Sequence, residues 1–282
     1  MKSTCTKSIL YLSQRPLVMG ILNVTPDSFS DGGLYYNFRI AIEHALSMAE
    51  QGADIIDIGG ESTRPGAEPV SIEQEIERTI PVIKELSKHI SIPISIDTYK
   101  AEVAKRAIDA GASIVNDISG LTFDKDMVKI VAKNNTPVII MHIKGRPKDM
   151  QNKPEYKALI PELLDFFRER ISFALEAGVK EENIIIDPGI GFGKTFDHNL
   201  EIIDRLSEFK VFQRPIAIGL SRKAFISAIL GNLPPNDRLE GTISATAIAL
   251  YNGADIVRVH DVKETLKAVK IVTAIKRQGV GD

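Results

Sequence analysis

The sequence is nearly devoid of cysteine: Cys5 is the only one among 282 residues. A single thiol allows no internal disulfide and no cysteine-based metal cluster, and it agrees with a reducing, cytoplasmic setting. Long hydrophobic runs are missing too. The run Pro137–Met141 spans five residues, against the ~18 needed to cross a bilayer, so no membrane partner is expected. The opening residues, Met1 to Ser8, lack the apolar core of a signal peptide. Neither charge sign is in excess. Lys+Arg is 35 and Asp+Glu 37, a formal charge of −2. A sequence-independent nucleic-acid binder needs a net positive face, so nucleic acid is not an expected partner. What remains is ordinary globular composition, 44% hydrophobic and 26% charged. Length alone fits two domains of ~150 residues or one α/β barrel of ~250.

A recurring phrase decides between them. A helical pattern runs into Gly-Ala and then a short β-branched stretch, as in Gly52-Ala53-Asp54-Ile55-Ile56-Asp57, Gly111-Ala112-Ser113-Ile114-Val115-Asn116 and Gly253-Ala254-Asp255-Ile256-Val257-Arg258. Gly just past a helix end supplies the positive φ of a C-cap. A continuous Ile/Val run fits a parallel strand buried on both faces. Eight strands follow: Val18–Leu22, 54–58, Ile94–Ile96, 113–116, 137–141, Ile184–Asp187, 216–219 and Ile256–Val259. Helical spacing at Ile40, His44, Ala45 and Met48, a Ser71-x-x-Gln74 capping box and similar patterns fill the intervals. With no linker or low-complexity stretch, the expected fold is a single (β/α)8 TIM barrel over residues 1–282. An open doubly wound sheet is the alternative, but its dinucleotide fingerprint is absent after the first strand.

Barrels of this kind place function at the C-terminal strand ends. Those ends read Asn23, Gly59-Gly60-Glu61-Ser62-Thr63-Arg64, Asp97, Asn116, His142, Asp187, Ser221-Arg222-Lys223, and Arg258 with His260. Asp97, Asn116 and Asp187 offer acceptors and an amide suited to a flat heterocycle with adjacent N–H groups. For Asp97, helix N-capping is the competing role. Arg258 and His260 lie two apart, on one side of a strand, and form a donor pair suited to an anion. His44, His89 and His198 fall in helical patterns and read as structural. One of Arg222 and Lys223 is expected to point inward, and spacing does not say which.

Gly189-Ile190-Gly191-Phe192-Gly193-Lys194-Thr195 invites a nucleotide reading that fails. The P-loop spacing lands on Pro188 instead of Gly, and the third Gly of G-x-G-x-x-G is one residue early. This leaves a flexible glycine-rich loop with Phe192 as an aromatic wall. Two further turn-rich segments, about 24–38 and 59–70, are expected to be mobile lids.

The chain resembles the dihydropteroate synthases, a pterin-binding family. The resemblance runs from Val18 to about Glu264. It is carried by Met19-Gly20-Ile21-Leu22-Asn23-Val24-Thr25-Pro26-Asp27-Ser28-Phe29-Ser30-Asp31-Gly32, Asp57-Ile58-Gly59-Gly60-Glu61-Ser62-Thr63-Arg64-Pro65-Gly66, Ser95-Ile96-Asp97-Thr98, Val115-Asn116-Asp117, Asp187 to Lys194, Gly219 to Lys223 and Arg258-Val259-His260-Asp261. It implies condensation of 6-hydroxymethyl-7,8-dihydropterin pyrophosphate with p-aminobenzoate, giving 7,8-dihydropteroate and pyrophosphate, in a cytoplasmic homodimer. It also implies roles. Asp97, Asn116 and Asp187 bind the pterin edge, with Lys223 on its other side. Arg258 and His260 hold pyrophosphate with Asn23, a Mg²⁺ ligand. Thr63 and Arg64 sit on the second lid. Ser221, Phe192 and Pro65 line the p-aminobenzoate site. Lys223, Arg258, His260 and Asp97 are the expected catalytic set. Corrinoid-linked pterin methyltransferases share the barrel and the acid–amide clamp, but need neither Ser221-Arg222-Lys223 nor Arg258 with His260 to hold pyrophosphate. A non-catalytic pterin-binding barrel would need no anion site.

Overall fold

The computed structural model describes residues 15–25 and 33–278. Eight parallel strands form one sheet: β1 (Leu17–Asn23), β2 (Ile55–Gly59), β3 (Ile94–Asp97), β4 (Ile114–Asp117), β5 (Val138–Met141), β6 (Ile184–Asp187), β7 (Ala217–Gly219) and β8 (Ile256–Val259). They are ordered β6-β5-β4-β3-β2-β1-β8-β7. A parallel bridge between Ile186 and Ile216 joins the two ends, so the sheet closes into the expected barrel. Between the strands run α1 (Gly33–Glu50), α2 (Ile72–His89), α3 (Ala101–Ala110), α4 (Met127–Asn134), α5 (Leu159–Glu176), α6 (Phe196–Asp204), α7 (Ala224–Ile229), α8 (Leu239–Tyr251) and α9 (Val262–Gln278). No described helix is long and apolar enough to cross a membrane.

The period of two along a strand sorts the side chains. Leu17, Met19, Ile55, Ile114, Ile139, Ile185, Ala217 and Ile256 form a small buried cluster of their own inside the barrel. The outward residues, among them Val18, Ile56, Ile58, Val115 and Ile186, join the larger core against the helices. Two residues further along, the inward face turns polar: Ile55 is followed by Asp57, Ile114 by Asn116, Ile185 by Asp187 and Ile256 by Arg258. The apolar plug therefore seals the barrel below and supports a layer of charge above it.

The caps follow the sequence. Ser71 and Gln74 close the box at the start of α2, and Thr195 and His198 close another at the start of α6, which gives His198 its structural role. Gly111 ends α3 with φ +119°. Asp54 stands before β2 instead of inside it, because its carboxylate takes both the Val18 amide (2.8 Å) and the Arg15 guanidinium (2.9 Å). One boundary is corrected. The first lid was expected to reach residue 38, whereas α1 begins at Gly33, since Leu34, Phe38 and Ala41 continue the helical period. The rest of that lid, 26–32, and Cys5 lie outside the described residues.

Candidate active site

Arg258 organises the polar layer. Its Nε donates to Asp57 Oδ2 at 2.6 Å and its Nη2 to Asp97 Oδ2 at 2.7 Å. Asn116 Nδ2 donates to the same Asp57 oxygen at 3.1 Å. Strand register explains the meeting, because Gly59 pairs with Asp97 and Asp97 with Asn116. One guanidinium thus serves two carboxylates, which keep it firmly protonated. Two of its five N–H groups are engaged, leaving three for an incoming anion. Asp57 Oδ1 and Asp97 Oδ1 are buried and have no hydrogen-bond partner. Buried acceptors are ordinarily satisfied, so these oxygens mark a place for ligand donors. Burial, opposed by Arg258 and reinforced by Asp57, pushes Asp97 up to about 7. Asp97 does not cap α3: Asp124 accepts from the Ala101 amide instead (2.8 Å).

Asp187 ends β6 and accepts from the Gly189 amide at 2.7 Å. Burial raises it to about 6 against the pull of that hydrogen bond and of Lys223. The choice between the two basic residues after β7 is settled by backbone conformation. Arg222 is left-handed, φ +59°, and turns outward to Asp261 (2.7 Å) and Asn236 (3.2 Å). Lys223 turns inward, where its ammonium lies 4.4 Å from the centre of the Phe192 ring. Burial, then Arg258, bring Lys223 down to about 8, while Asp187 and Asp97 oppose the fall. Asp97, Asp187, Arg258 and Lys223 therefore form one electrostatic unit.

Ser221 faces His260, with Oγ 2.9 Å from Nδ1. Oγ also accepts the His260 backbone N–H at 3.3 Å. Burial and the cations Arg222 and Arg258 depress His260 to about 4. His260 is thus a neutral hydrogen-bond donor at neutral pH. Arg64 is near enough to contribute to the same depression, although Arg64 and Pro65 are exposed on the rim and Thr63 is half-buried.

The loop carrying those three residues is tied down from beneath. Lys100 Nζ reaches Glu61 (2.7 Å), Glu75 (2.6 Å) and the Val70 carbonyl (2.7 Å). Glu61 also accepts from Tyr99 Oη (2.6 Å) and the Val70 amide (2.9 Å). At the tip, the Gly66 amide donates to Pro147 O at 3.0 Å. Asn23 ends β1 opposite Gly59. A Cβ on Gly59 would lie 3.8 Å from Asn23 Oδ1 and 3.6 Å from Asp97 Oδ2. Asp97 Oδ2 is already taken by Arg258, so Asn23 Oδ1 is the oxygen here that a hard cation could use, with phosphate and water completing its shell.

The family described as "pterin binding enzyme" matches residues 19–260. The dihydropteroate synthase of Clostridium beijerinckii is 50% identical over 268 residues, 95% of this chain and 97% of its own. The chain belongs to the dihydropteroate synthases of the pterin-binding enzyme family. Among solved structures, the Clostridium difficile dihydropteroate synthase in the presence of pteroic acid is 50% identical, with a TM-score of 0.88 over 93% of this chain and 97% of that one. The Xanthomonas albilineans enzyme in complex with 7,8-dihydropteroate is 39% identical, with a TM-score of 0.85 over 93% and 94%.

Asp57 escaped the sequence reading, which placed it inside a strand and looked only at strand ends. The signal was present: Asp57 follows the inward Ile55 by two. The Glu61–Lys100–Glu75 cluster left no comparable trace, because its members are 14 to 39 residues apart and meet only through packing.

Proposed function

We propose that this synthase joins the hydroxymethyl carbon of a dihydropterin pyrophosphate to the amine of p-aminobenzoate, with the roles that follow. Asp97, Asn116 and Asp187 take the pterin edge, and Lys223 covers its other side. The observation that carries this reading is the pair of orphaned acceptors, Asp57 Oδ1 and Asp97 Oδ1, in a buried polar layer. A heterocycle with adjacent N–H groups is the complement they lack. The three remaining N–H groups of Arg258, the neutral His260 ring and Arg64 meet the pyrophosphate. Phe192, Ser221 and Pro65 wall the p-aminobenzoate site, with Thr63 beside them on the second loop.

An arylamine is uncharged at neutral pH and needs little help from a base. The harder task is to let pyrophosphate leave with its charge, which is electrostatic work. Asn23 would hold Mg²⁺ on the pyrophosphate oxygens, and the ion when bound neutralises developing charge there. Arg258 and His260 donate to the leaving oxygens, and the loops exclude water. On this reading C–O cleavage runs ahead of amine attack, and positional isotope exchange in the bound pterin substrate without turnover is the expected sign. The decisive experiment measures pyrophosphate release with both substrates. Lys223→Ala should abolish it with circular dichroism unchanged; release at the original rate would overturn the assignment.

The proposal includes a homodimer in the cytoplasm. Its support is the apolar surface of two neighbouring helices: Ile248 and Tyr251 on α8, and Ile271 and Ile275 on α9, are each more than half exposed. A helix this apolar on its outer side calls for a covering partner, and a second copy offers the same surface. Sedimentation of Ile271→Glu as a monomer beside a dimeric parent is the expected result.

A further inference from the structure

Lys194 closes the glycine-rich loop and takes no part in the chemistry above. The residue is 2% exposed. Its Nζ lies 3.0 Å from His142 Nδ1, 3.4 Å from His142 O and 3.0 Å from Phe192 O. Burial brings the Lys194 ammonium down to about 7; when charged it has three protons, and with the His142 ring proton on Nε2 these three acceptors use them. They belong to two segments, the end of β5 and the loop after β6, so the side chain bridges two residues, Lys194 and His142, that stand 52 apart in the chain.

The two segments touch closely enough to demand glycine. Gly189 and Gly193 have φ +71° and +62°. A Cβ on either would lie 2.0 Å from His142 O or 2.3 Å from Lys144 O. Neutral ties flank the contact: Gln151 Nε2 donates to Gly191 O at 2.6 Å and Tyr156 Oη to Gly193 O at 2.8 Å. Among the described residues, only the Lys194 bond grips the Phe192 carbonyl. Burying an ammonium without a carboxylate partner is unfavourable, and an apolar side chain of the same length would fill the space at less cost. The ammonium offers what such a side chain cannot, a fixed peptide plane at Phe192.

We infer that Lys194 is a positioning residue that clamps the Phe192 peptide to the end of β5, and so holds the Phe192 ring against the Lys223 ammonium and in place as the arylamine wall. The second half rests on the role proposed for Phe192 above. Lys223 Nζ sits 4.4 Å from that ring, so a loosened Phe192 also loses its cation.

The test uses Lys194→Met, which keeps length and removes the donors. Phe192 amide and ring resonances should move in the NMR spectrum of the variant while circular dichroism is unchanged; resonances that stay in place overturn the clamp. In kinetics, KM for p-aminobenzoate should rise by about tenfold or more with KM for the pterin substrate within about twofold. Combined with Phe192→Ala, Lys194→Met should add nothing further to that KM. If Phe192→Ala raises the KM and Lys194→Met does not, the inference is wrong. If neither raises it but the resonances move, the clamp stands and the arylamine role of Phe192 falls. Should Lys194→Met not fold, the parent still decides: nitrogen-15 spectra must show His142 unprotonated at Nδ1, the acceptor the clamp requires, and a proton there overturns it.

Discussion

Arg258 and Asp57, 201 residues apart in the chain, share a 2.6 Å hydrogen bond inside the barrel, and the same guanidinium reaches Asp97 at 2.7 Å. Neither acid is separable from the cation. Removing one partner of a buried pair leaves an uncompensated charge, which costs about 3–5 kcal/mol. Asp57→Ala and Arg258→Ala should each lower unfolding free energy by about that amount in urea titrations. Their double mutant should lose less than the sum, because the second change removes a charge already orphaned by the first. A loss below about 1 kcal/mol for Asp57→Ala would show that the contact is incidental.

Pterin binding should release protons. Asp97 lies at about 7 and Asp187 at about 6 in the free protein, both raised chiefly by burial. Each is partly protonated at pH 6. A ligand that donates N–H groups to them favours the ionised forms, so the complex binds fewer protons than the free protein. Affinity for a pterin should therefore rise between pH 5.5 and 7.5, a window that brackets both values. Calorimetry at pH 6 in buffers of different ionisation enthalpy reads the release directly. Proton uptake would reverse the roles assigned to these acids.

Ser221 should fix the tautomer of His260. Its Oγ accepts the His260 backbone N–H, so its single proton is left for Nδ1 at 2.9 Å. The ring proton is then on Nε2, free to meet an anion. In Ser221→Ala, nitrogen-15 shifts of the ring should show a mixture of tautomers, and pyrophosphate should inhibit less strongly, by roughly three- to tenfold. An unchanged ring spectrum would remove Ser221 from this role.

The order of substrate addition is expected to be pterin first. Arg64 and Pro65 are exposed on a loop whose tip is held by one backbone bond, Gly66 to Pro147, and by the exposed Glu68–Lys148 ion pair. Titration of p-aminobenzoate into the free enzyme should give no measurable heat, and binding should appear once pyrophosphate and Mg²⁺ are present. Tight binding to the free enzyme would contradict the order.

Much of this was legible in the residues. Gly-Ala followed by an Ile/Val run marked the helix-to-strand joints into β2, β4 and β8, and the inward positions Asp97, Asn116, Asp187 and Arg258 followed from strands ending in polar residues. What stayed hidden depends on closure or on backbone state. Asp57 acquires meaning only when β8 comes round to lie beside β1 and delivers Arg258. The turn at Arg222 hides in a positive φ that no periodicity encodes. Lys194 read as the tail of a failed nucleotide motif, since the acceptors that define it are backbone carbonyls and a histidine from another strand.

The barrel wall is joined by seven strand ladders and one stitch. The stitch, between Ile186 and Ile216, lies directly below the two segments that deliver Asp187 and Lys223. On the proposed reading, a pterin held between that acid and that cation would lie across the thinnest join of the wall. The substrate would then act as a buttress for the cylinder in which it reacts. Slowed hydrogen exchange on loading should concentrate at the amides on either side of this join.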